Sequence, residues 1–234
     1  MGSAFAPDSK EAVKKTAFER PAKDFKVWAS SKSLGFDLPQ RIGRVLWFPM
    51  LAMALMSFVV AWIFGVIRAD EIAGGGNPDT IAAQGHLVPA FMFLGFASVF
   101  AAISFAIARI LGTFRNGGGE VQEAAQAHEV QTLSRPWTAW VFIGGMMMAM
   151  MAILLGVVIH FIAAGAIASD AARVARSDQW FAWAEAIRRL GIVMYLTSIA
   201  FGLATIIQIL RFQSVRVREL PSEGAPDTSA AATS

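Results

Sequence analysis

Long apolar runs without charge alternate with shorter polar segments along this chain, and four of the runs are long enough to cross a bilayer. They extend from Val45 to Ile67, Leu87 to Ala108, Trp137 to Ala168 and Leu190 to Leu210, and none contains Asp, Glu, Lys or Arg. A hydrocarbon core of roughly 30 Å takes about 20 helical residues, so each run predicts one membrane-spanning helix. The third is longer than the core requires, and it is expected to tilt or to project beyond the bilayer.

Composition agrees with this pattern. Of the 234 residues, 56% are hydrophobic and only 16% charged, with a mean hydropathy of +0.53. A soluble domain carries about a quarter charged residues. The chain has no cysteine, which excludes disulfides, thiolate metal sites, iron–sulfur clusters and cysteine nucleophiles. The first apolar run starts too late for a signal peptide.

The placement of Lys and Arg predicts orientation, because cytoplasmic loops collect them. Nine precede the first span, from Lys10 to Arg44; Arg109, Arg115 and Arg135 come after the second span; Arg211, Arg216 and Arg218 come after the fourth. The opposite side holds Arg68, Arg173, Arg176, Arg188 and Arg189. Both termini are therefore expected in the cytoplasm, and the chain in the inner (cytoplasmic) cell membrane.

The fold class expected is an all-α integral membrane protein, with four transmembrane helices in an up-down-up-down bundle over residues 45–211. Residues 1–44 form a basic cytoplasmic segment, amphipathic over residues 10–36, where lysines alternate with Phe18, Phe25, Val27 and Trp28. Such a segment suits anionic lipid on the inner leaflet or a neighbouring subunit. The stretch DAARVARSDQWFAWAEAIRR, residues 170–189, predicts a short outer interfacial helix anchored by Trp180, Phe181 and Trp183. Residues 212–234 are expected to be a disordered tail. RNGGGEVQEAAQAHE, residues 115–129, reads as a polar loop; its glycines have no strand before them and no Lys-Ser/Thr after them, so it is not a phosphate loop.

Helix contact in lipid depends on small residues spaced at four, which Ser98, Ala102 and Ala106, Gly145 and Ala149, and Ala152 and Gly156 provide. Pro49 and Pro89 fall near the start of a span, where a missing N–H costs least. Met146, Met147, Met148, Met150 and Met151 lie at a depth similar to Met50, Met53 and Met56. Thioethers suit Cu(I), but five nearly consecutive side chains point all round a helix, so packing is the expected role.

Three histidines carry the remaining candidate chemistry. His128 falls among acids in the polar loop and is expected to be solvated. His86 opens the second span from the outer side, and His160 lies 23 residues beyond Trp137, about 35 Å along a helix that starts inside. Both imidazoles are thus expected near the outer surface, at matching depth. A bis-histidine b-type haem wants such a pair from two helices and small residues beside it. Gly156 and Ala164 flank His160 at four residues, with Arg173, Arg176, Arg188 and Arg189 placed for propionates. A metal set of His86, His160 and Asp170 suits zinc or copper. Hydrogen bonding to backbone, water or an acid is the simpler role.

The span interiors carry no charged residue and no nucleophile with a base at matching depth, and no nucleic-acid module is visible. These features lead to two functional expectations. The preferred one is a non-catalytic accessory subunit of a larger membrane complex, bioenergetic or oxidative, without a cofactor, partnered by other integral membrane subunits and lipid, not nucleic acid. The alternative is a membrane electron-transfer protein holding one b-type haem, or a metal, between His86 and His160.

Overall fold

A computed structural model describes residues 27–29, 37–127, 129–169 and 174–223. Four long helices dominate: α1 (Leu38–Gly74), α2 (Pro78–Ala124), α3 (Trp137–Ser169) and α4 (Val174–Glu223). Two three-residue strands, β1 (Val27–Ala29) and β2 (Gln131–Leu133), complete the described elements. All four helices are long and apolar enough to cross a membrane.

Three helices run well past the apolar stretch that predicts them, because regular hydrogen bonding continues wherever the polar flanks keep helical propensity, whereas α3 matches its stretch to within one residue. α1 begins at Leu38 behind Asp37, whose backbone N–H donates to the Gln40 side chain at 3.0 Å. It ends at Gly75, left-handed at φ 67°, a conformation that costs glycine no Cβ clash. Pro49 and Pro89 consequently lie inside helices rather than in their first turns. Residues 174–189 are the opening turns of α4 rather than a separate interfacial helix. The same helix runs to Glu223, so residues 212–223 of the expected tail are helical. RNGGGE belongs to α2, and the expected loop contracts to the residues beyond Ala124.

The chain divides into two compact units, one of residues 37–109 and 137–203, the other of 1–36, 110–136 and 204–234. In the first, α1 meets α2 through Phe58 and Phe96, with ring centroids 5.2 Å apart, and through stacked Phe64 and Phe91 at 5.6 Å. Towards the start of α1, Gly43 lies so close to α2 that a Cβ there would stand 2.6 Å from the Phe105 carbonyl. The contacting pairs run in opposite order along the two helices.

α3 and α4 approach where glycine permits it. A Cβ on Gly191 would stand 2.7 Å from Ile153 Cγ1, and one on Gly202 2.9 Å from the Phe142 ring. The centre of this unit is Ala97, Ala149, Ile153 and Tyr195, all buried, with Tyr195 stacked on Phe100 at 4.6 Å. Ser57, Ser98, Ser104 and Ser198 each donate to the carbonyl four residues back, at 2.7–2.8 Å. That satisfies each hydroxyl within its own helix, as an apolar surrounding demands.

In the second unit, β1 pairs antiparallel with β2, Val27 opposite Leu133. The expected amphipathic segment otherwise lies outside the described residues. Gln122, fully buried, fastens β2 to α2: its Nε2 donates to the carbonyls of Gly118 and Gln131, and its Oε1 accepts from the Gln131 N–H at 2.8 Å. Arg216 Nε of α4 donates to the same oxygen at 3.3 Å. Gly118 leaves room for the Gln213 side chain, which gives that glycine inside α2 a packing role.

Candidate functional site

The opening turns of α2 bring His86 inward, and the late turns of α3 bring His160 to the same level. The two imidazoles meet with Nδ1 atoms 3.1 Å apart and ring centroids 5.4 Å apart. His160 is fully buried and His86 nearly so. Phe181, on the first turns of α4, presents T-shaped contacts to both rings, at 5.9 Å from His86 and 5.5 Å from His160. Gly156, one turn before His160, faces α4: a Cβ there would stand at ordinary contact distance from the Ala184 carbonyl, 3.4 Å, and from Arg188 Cβ, 3.6 Å.

Arg188 completes the group. Its guanidinium reaches His160 Nε2 at 3.4 Å, pairs with Glu185 at 3.1 Å and lies over the Phe93 ring at 3.5 Å. Glu185 also accepts from Arg189 at 2.5 and 2.8 Å. Helices α2, α3 and α4 therefore each contribute polar side chains to one buried centre within the first unit.

The donor inventory fixes how the protons lie. Arginine only donates, so His160 Nε2 must accept. Neutral His160 then carries its proton on Nδ1 and donates to His86 Nδ1, which leaves the His86 proton on Nε2. Both lone pairs of the neutral pair are engaged, one by Arg188 and one between the rings.

Of the residues singled out from the sequence, the structure brings His86, His160, Gly156 and Arg188 together. Asp170, Arg173 and His128 lie outside the described residues, as does the side chain of Arg176. Among the described residues, no group of three or more His, Cys, Asp or Glu side chains is placed to hold a metal ion. The sequence pattern marks Arg188 only as a propionate partner, and it does not mark Glu185 or Phe93. Their signal is spacing: Glu185 and Arg188 fall three apart on one helix, a common ion-pair interval.

The methionines separate by face. Met146 and Met150 pack on the Tyr195 core, whereas Met147, Met148 and Met151 point outward. A shallow groove of about 370 Å³ runs along α3 and α4, lined by Ile159, Ile162, Gln179, Trp180 and Trp183.

The sequence matches no protein-family model, and neither a curated protein nor a solved structure is similar to it.

Proposed function

We propose that this chain is a structural, accessory subunit of a larger assembly in the cytoplasmic membrane. In this reading its helices run up-down-up-down with both termini in the cytoplasm. The distribution of Lys and Arg supports that orientation, and the opposed order of contacting residues supports the alternation. The observation that carries the subunit role is the uneven burial of the helices. Only 17% of the apolar window of α1 is buried within the chain, against 44% for α2. Leu55, Met56, Val59 and Trp62 present a continuous outward surface on α1, to which partner helices would pack. The buried histidine centre serves in this reading as a polar clamp across α2, α3 and α4. Bioenergetic or oxidative complexes are the class proposed, and anionic lipid is the proposed contact of the basic N-terminal segment.

Purification in mild detergent tests the role. Stoichiometric co-elution with other membrane proteins, lost when Val59 and Trp62 are changed to bulkier or polar residues, supports it; a lone monomer overturns it.

A second reading is kept by one observation, the two imidazoles from different helices facing at one level. It is an electron-transfer protein with a b-type haem, or another metal, between His86 and His160. His86 and His160 would hold such a group, but their Nδ1 atoms stand 3.1 Å apart, closer than the roughly 4 Å that a metal ion between two imidazole nitrogens would span at about 2 Å per bond. Both bonds would also use lone pairs, so Arg188 would have to keep or lose its acceptor according to which nitrogen binds. The residues fit a haem only after the rings part and Phe181 moves. A reduced-minus-oxidised absorption spectrum with metal analysis on the same sample decides: a stoichiometric b-type signal lost in His160→Ala establishes this reading, and its absence removes it.

A further inference from the structure

We propose that the His86–His160 pair and Arg188 form a proton-sensitive latch between α3 and α4. This rests on the clamp described above and gives it a mode of regulation.

Counting lone pairs carries the inference. Two acceptor roles exist in the centre: one nitrogen receives Arg188 at 3.4 Å, and one receives the other imidazole at 3.1 Å. The neutral pair has two lone pairs and fills both roles. One added proton leaves three N–H groups and a single lone pair. If that lone pair stays between the rings, His160 Nε2 bears a proton and opposes the Arg188 N–H. If it stays on Nε2, two Nδ1–H groups face each other at 3.1 Å. If it moves to the outer nitrogen of His86, both conflicts arise together. No placement of the proton retains both hydrogen bonds, and the fully buried His160 has no room to turn towards water.

The released partner has somewhere to go. Arg188 already pairs with Glu185 on its own helix at 3.1 Å, so it can withdraw from α3 without becoming an orphan cation. The contact across helices is given up and the contact within α4 is kept. Gly156 is the point where α3 and α4 touch beside this bond, so the loss falls on a close helix–helix approach. Among the described residues, the charged and titratable groups around the pair are few. From α1, Arg68 lies beside Gly85, with its guanidinium 3.5 Å from where a Cβ would stand. From α4 come Glu185, Arg188 and Arg189, and from α2 and α3 the two histidines themselves. The three arginines oppose a charged pair and Glu185 favours it, so the latch is a balance that acidification tips.

The test is thermal unfolding of the purified full chain in detergent across pH 8 to 4, with wild type, Arg188→Met and His160→Gln. Wild type is expected to lose about 3–6 °C of apparent midpoint on acidification, the shift of a lost interhelical hydrogen bond in a chain of this size. Arg188→Met removes the competing donor and is expected to flatten that slope, whatever its absolute midpoint. His160→Gln cannot take the proton and is expected to flatten it as well. Imidazole 15N NMR on wild type reads the same event without a variant: His160 carries its proton on Nδ1 at pH 8 and loses that state as pH falls. A slope unchanged in both variants, or a His160 proton on Nε2 at pH 8, overturns the latch. If the slope is absent but His160→Gln lowers the midpoint at every pH, the clamp stands and the latch fails; if neither changes, the clamp fails too.

Discussion

Arg188 points its guanidinium at Nε2 of His160 across the α3–α4 contact, at 3.4 Å, while holding Glu185 on its own helix at 3.1 Å. A buried cation thereby sets the tautomer of a buried imidazole, and that imidazole sets the tautomer of His86. Three helices are joined by a directional chain rather than by apolar contact alone.

Removing the middle of that chain breaks two buried hydrogen bonds. His160→Ala takes the acceptor from the Arg188 N–H and the donor from His86 Nδ1, and it opens a cavity beside Phe181. A destabilisation of about 2–3 kcal/mol is expected, since unmatched buried polar groups cost that order. His160→Gln offers an acceptor again and should recover part of it. Midpoints of thermal inactivation in detergent measure both; an alanine variant as stable as wild type would remove the clamp.

Adjacent glycines in α3 should respond in opposite ways. A Cβ on Gly145 would collide with the Ser198 Oγ of α4, whereas one on Gly144 would meet nothing within 4 Å. Gly145→Val is expected to cost about 2 kcal/mol through overpacking. Gly144→Ala should be neutral or gain up to about 1 kcal/mol, the helix-propensity difference. Unfolding midpoints of the two variants, compared side by side, check the close approach of α3 and α4.

The methionines divide by side. Changing Met147, Met148 and Met151 together to Leu should alter stability by no more than about 0.5 kcal/mol, because their outward side chains have no core partner to lose. Met150→Ala should cost about 2 kcal/mol, since its thioether packs on the Tyr195 core. Equal effects from the two changes would contradict the separation of faces.

Gln122 holds β2 through both ends of one carboxamide. Gln122→Ala is expected to raise the rate of limited proteolysis between residues 125 and 136 about tenfold, the effect of roughly 1.4 kcal/mol on a local opening equilibrium. Gln122→Glu keeps the acceptor for Gln131 N–H and Arg216 but loses both N–H donations, so an intermediate rate is expected. Mass spectrometry of the early fragments reads the cut sites directly.

The hydropathy pattern by itself determined the number of membrane-length helices and the residues at their centres, because a hydrocarbon core tolerates only long uncharged helices. It also placed His86 and His160 at one level, since a fixed rise per residue converts position along a span into depth. The ends of the helices were not legible in the same way. A polar flank such as RNGGGE has no apolar signature, yet backbone hydrogen bonding carries the helix through it, and residues 174–189, expected as a separate interfacial helix, run on into the fourth span without a break. Rotation about each helix axis was equally hidden, and it decides that Arg188 rather than a solvent molecule meets His160, that Met150 turns inward while Met151 turns outward, and that Gln122 finds β2. Depth is set by one chain read alone; facing depends on which small residue lets which neighbour approach, and that is settled only when all the helices pack at once.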